Sequence, residues 1–129
     1  MAATRTAKAH WEGTLFEGAG SVNLESSGAG SFDVTWASRA EDPNGRTSPE
    51  ELIAAAHSSC FSMALSKALA DAGTPAQALD TQADVTLQPG KGITGIQLTV
   101  RGQVEGAKSG CPVSQALAGT TITLDAALA

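Results

Sequence analysis

The chain has 129 residues, a net charge of −5 and a pI near 4.8; 42% of its residues are hydrophobic, but aromatics make up only 4%. That is one domain's length with enough apolar surface for a core, and the acidic balance argues against nucleic acid as the main partner. No run of about 18 apolar residues without polar interruption is present to span a membrane, and two cysteines are too few for a disulfide scaffold or a cysteine-rich zinc site.

Met1 to His10 lacks the apolar centre of a secretion signal, so the cytoplasm is the default compartment. Thr4 to Trp11 reads as a strand, and a second, short strand is expected around Val22 to Glu25 after the loop at Gly18 to Gly20. Ser31 to Ala37 alternates Phe32, Val34 and Trp36 with polar residues, the pattern of a half-buried strand. Arg39 to Ser48 reads as a polar loop containing Pro43-Asn44-Gly45. Ser48 is then a candidate N-cap, with Pro49 at the first helical position and Glu50 and Glu51 at the positive end of the dipole; the spacing of Ser48 and Glu51 permits a capping box. The helix is expected to run to about Ala72 and stop at Gly73. Its wheel sets Glu51, Ser58, Ser62 and Ser66 on one stripe and Ile53, Ala56, Cys60 and Ala64 on another, which predicts a helix covered nearly all round. Asp80 to Gln88 and Ile93 to Val104 read as a β-hairpin about Pro89-Gly90-Lys91-Gly92, Pro112 to Ala118 as a short helix, and Thr120 to Leu128 as a final strand. The order predicts a single α+β domain over residues 1–129, with a mostly antiparallel sheet packed on a long central helix.

The chemistry-bearing candidates are few. Cys60 falls mid-helix on the expected buried face, where a cysteine acts as a small hydrophobe unless a cation reaches it. Cys111, in Gly110-Cys111-Pro112, stands at the start of a short helix with Lys108 nearby, so local sequence alone marks it as the more activated thiol. The two could form a redox couple, but a separation of 51 residues does not say whether they meet. Arg39 reads as a surface arginine, Glu50 as a complement to the helix dipole, and His57 as a packed or solvent-facing helix histidine. No phosphate loop, nucleotide fingerprint or metal motif is present.

The run Ser48-Pro49-Glu50-Glu51-Leu52-Ile53-Ala54-Ala55-Ala56-His57-Ser58-Ser59-Cys60-Phe61-Ser62-Met63-Ala64-Leu65 resembles the OsmC/Ohr family of small thiol-dependent peroxidases, in its OsmC branch. Ala9-His10-Trp11-Glu12-Gly13, Ala83-Asp84-Val85-Thr86-Leu87 and Gly110-Cys111-Pro112-Val113-Ser114-Gln115-Ala116-Leu117 extend the resemblance over almost the whole chain. It reverses the local ranking of the thiols, implying that Cys60 is the peroxidatic nucleophile and Cys111 the resolving thiol. It also implies that Arg39 and Glu50 are the pair that activates the nucleophile; Arg46 lies nearby, and Arg39 is preferred because it follows the Trp36-containing strand. The implied activity is reduction of organic hydroperoxides, and more weakly of hydrogen peroxide, with an external thiol or dithiol as reductant and no bound metal, flavin or haem. The alternative is a non-enzymatic module of the same fold that binds a small apolar ligand or senses redox state. Ten residues on one helix set Glu50 and Cys60 roughly 15 Å apart along its axis, so the family's arrangement and this geometry together predict a homodimer whose composite site draws Glu50 and Arg39 from the second subunit. The chain departs from the family in one place. Only Glu105 to Gly110 separate the hairpin from the Cys111 motif, so most of a second helix is expected to be absent, either through a true deletion or because a flexible segment is missing from the sequence.

Overall fold

The computed structural model describes residues 2–73 and 75–101, and the backbone of 122–127. The chain falls into two compact units, Met1–Pro49 and Glu50–Ala129.

In the first unit, strands β1 (Lys8–Glu12), β2 (Ala19–Asn23) and β3 (Ser31–Val34) form an antiparallel sheet in that order. The β1–β2 connection closes tightly because Gly13 adopts φ +91° and Gly18 lets the backbones meet. The strand expected to continue through Ala37 ends at Val34. A short helix α1 (Trp36–Ala40) follows, so Arg39 belongs to a last helical turn and not to a polar loop. The cause is local. Thr35 caps α1 by accepting from Ser38 N at 3.0 Å while Ser38 Oγ accepts from Thr35 N at 3.0 Å, a reciprocal capping box. Ser38 is buried, its hydroxyl lying 2.9 Å from Thr47 O, and Thr47 N donates to Asp33 O. Thr47 also makes a parallel bridge with Val34, which ties the end of the intervening loop to β3. Among the described residues, this unit has no fully buried apolar side chain: every β1 residue is exposed, and Phe16 is 75% exposed despite its edge-on contact with Trp36 at 5.7 Å.

The second unit is built on helix α2 (Pro49–Asp71), with Gly73 beyond its end at φ +82°. Strands β4 (Asp80–Gln88), β5 (Gly92–Arg101) and β6 (Ile122–Ala127) form its sheet in that order, β4–β5 antiparallel and β5–β6 parallel. The expected hairpin is present, with a bulge: Thr86 pairs with Gly95 and Leu87 with Ile93. The extra residue, Thr94, allows Ile93 and Ile96, three apart, both to pair with inward-facing β4 residues, which an unbroken strand would forbid. Phe61, Leu65 and Leu69 of α2 pack with Leu98 and Val100 of β5, and Cys60, Ala64 and Ala83 border that cluster.

The expectation that α2 is covered nearly all round fails for the single chain. Its buried residues are Glu50, His57, Phe61, Leu65 and Leu69, one stripe, while Met63 is 72% exposed. A sheet of three strands covers one face of a helix, and the large side chains choose which face; the alanines around them exert little preference. By length and composition α2 could also cross a membrane, its best 18-residue window averaging a mean hydropathy of 1.2. An alanine-rich core helix meets the same criterion, and the stripe of α2 packs on the sheet. On the outer side, Lys67 donates to Asp71, which holds its ammonium above the ordinary lysine range.

Candidate active site

Cys60 sits near the middle of α2, half-buried, with one side against the apolar cluster of Phe61, Leu65, Leu69, Leu98 and Val100. It is therefore on the flank of the buried stripe and not at its centre. The helix is held in register over the sheet by Ser62, one and a half turns from the buried His57: Ser62 Oγ donates to Ser58 O at 2.8 Å and is hydrogen-bonded to Thr81 Oγ1 of β4 at 2.7 Å. The serine stripe expected from the wheel thus has one member engaged with a strand, while Ser58 and Ser59 bond back to Ala55 O and Ala56 O.

Glu50 occupies the first turn of α2 and is only 6% exposed. A carboxylate there benefits from the exposed amides of the helix start. It stands ten residues from Cys60 on the same helix, roughly 15 Å along the axis, so the helix itself does not bring the two together. Arg39, half-buried in the last turn of α1, belongs to the first unit, where its charge complements the helix C-terminus. Cys111, Lys108 and the short helix expected from Pro112 lie outside the described residues.

His57 is the residue whose place the sequence left undecided. It is 0% exposed, in the stripe that runs through Glu50, Phe61, Leu65 and Leu69. The usable signal was that spacing of seven, four, four and four, masked by alanines on every other face.

The family model for OsmC-like proteins matches residues 42–125. Peroxiredoxin OsmC of Escherichia coli K12 is 42% identical over 140 residues, covering 97% of this chain and 96% of that protein. This chain therefore belongs to the OsmC family. The alignment is longer than this chain of 129 residues, so the relative carries residues without a counterpart in it. Among solved structures, an organic hydroperoxide resistance protein OsmC from Legionella pneumophila shares the fold at a TM-score of 0.73 and 24% identity, covering 98% of this chain and 97% of that one. OhrB of Bacillus subtilis shares it at a TM-score of 0.66 and 22% identity, covering 94% and 97%.

Proposed function

We propose that this chain is a thiol-dependent peroxidase that reduces organic hydroperoxides through a two-cysteine cycle. Its membership of the OsmC family and its 42% identity to a peroxiredoxin support peroxide reduction. The observation that carries the site is Cys60, a half-buried thiol bordering an apolar cluster on the central helix of the matched region. The apolar border suits an alkyl hydroperoxide, whose carbon part gains by leaving water.

The Cys60 thiolate attacks the terminal peroxide oxygen. An S–O bond forms, the O–O bond breaks, and the departing alkoxide takes a proton and leaves as the alcohol, so sulfur is oxidised to a sulfenic acid as the peroxide is reduced. The Cys111 thiol then condenses with the sulfenic acid, forming a disulfide and releasing water. An external dithiol or thiol pair reduces that disulfide by exchange and is itself oxidised. Arg39 holds the thiolate and is in turn held by Glu50.

Two observations support a homodimer with a composite site. Glu50 and Cys60 are too far apart on one helix for one guanidinium to serve both, and the first unit has no buried apolar side chain of its own among the described residues. Both are what a chain completed by a second copy would show.

The test is stoichiometric. Reduced protein, Cys60→Ser and Cys111→Ser are each mixed with one equivalent of cumene hydroperoxide and followed by thiol titration and intact mass. The parent should lose two thiols and about 2 Da, as one disulfide forms. Cys60→Ser should not react, and Cys111→Ser should stop at the sulfenic acid. A parent whose thiols react no faster than free cysteine would reject the peroxidase and favour a binding or sensing module.

A further inference from the structure

We infer that His57 is a positioning residue for the Cys60 sulfur, setting its ionisation and orientation from within the core. The inference rests on the peroxidase reading, in which Cys60 is the nucleophile.

The buried stripe of α2 carries Phe61, Leu65 and Leu69 where it faces the sheet, and at the next position toward the N-terminus it carries His57, also fully buried. An apolar residue would fill that place at no polar cost. A buried imidazole loses its hydration, a cost that interactions inside the protein must offset. Among the β4 and β5 side chains that meet α2 are Thr81, Ala83, Leu98 and Val100. On the helix itself, Glu50 shares the stripe two turns away, and Cys60 stands three residues on.

Residues three apart on a helix are surface neighbours, about 5–6 Å between Cβ atoms. Helical side chains lean toward the N-terminus, so the Cys60 thiol leans over the turn that holds Ala56 and His57. Ala56 is small, so of these two positions only His57 carries a polar side chain. Either charge state of the ring can offer an N–H to a thiolate, and a low-dielectric setting strengthens that interaction.

The experiment uses the full-length chain carrying Cys111→Ser, so that iodoacetamide reports on Cys60 alone and no peroxide is involved. His57→Leu, His57→Gln and His57→Asn are compared with their parent in melting temperature and in alkylation rate from pH 5 to 10. His57→Leu should alkylate about tenfold more slowly at pH 7, with its midpoint moved to higher pH, because the thiolate has lost a donor. One of the two amide variants should restore part of the rate and so identify the nitrogen used. Alkylation profiles that coincide across all four proteins would overturn the inference, whatever the melting temperatures do.

A second measurement needs no His57 variant. The chain has two histidines, and His10 is exposed on β1, so it serves as an internal control. Imidazole NMR titrations of the parent and of Cys60→Ala should differ at His57 and agree at His10; agreement at both would overturn the inference. Failure of the peroxidase reading shows separately, as a parent that leaves cumene hydroperoxide unconsumed.

Discussion

Gly18 and Gly20 decide how β1 and β2 come together. A Cβ at Gly18 would lie 2.4 Å from both Glu12 O and Thr14 O, and one at Gly20 would lie 2.5 Å from His10 O and 2.6 Å from the Trp11 ring. The walls at Gly18 are backbone and cannot step aside. Gly18→Ala should therefore cost about 1–3 kcal/mol by forced displacement, seen as a lower midpoint in urea, with altered tryptophan fluorescence as Trp11 is pushed off the strand. Among the candidate site residues, the place of Glu50 was legible in the sequence because Ser48-Pro49 marks a helix start and the dipole favours a carboxylate there. Cys60 was legible through the family motif, while its position on the flank of the buried stripe was not. The wheel of α2 has little contrast, since alanine lies on every face, and it pointed to Ile53, Ala56 and Ala64 as the inward side. Phe61, Leu65 and Leu69 bury far more area per residue, so they turned the helix to face the sheet.

Among the elements, α2 and the β4–β5 hairpin followed from pattern, and β4 matched residue for residue. The short helix α1 did not. Five residues are too few for intrinsic propensity to show, and what holds them is the Thr35–Ser38 box together with the Ser38 bond to Thr47, a partner nine residues on. Regarding the contact between α2 and β4, the Ser62–Thr81 hydrogen bond is a polar link beside the apolar cluster. Ser62→Ala and Thr81→Val should each lower stability by about 1 kcal/mol, and the double variant by less than the sum. A double-mutant cycle in urea checks this; strict additivity would mean that the pair contributes nothing to the register of the helix.

For the whole molecule, the proposed composite homodimer makes a quantitative prediction. Arg39→Ala and Cys60→Ser should each be inactive alone. Unfolded together and refolded at equal amounts, they should recover about a quarter of parental activity, because half the dimers are mixed and each has one intact site. No recovery would place Arg39 and Cys60 of one subunit in the same site. By itself the sequence determined the kinds of element, their order, the α+β class and the family, because these depend on local periodicity, turn chemistry and a motif read over short spans. Only the tertiary structure decided which face of α2 is buried, that His57 is fully buried in that face, and that β5 carries a bulge at Thr94. Those outcomes turn on which large side chains compete for one sheet face, and a comparison of areas across elements distant in the chain is not written in any local window.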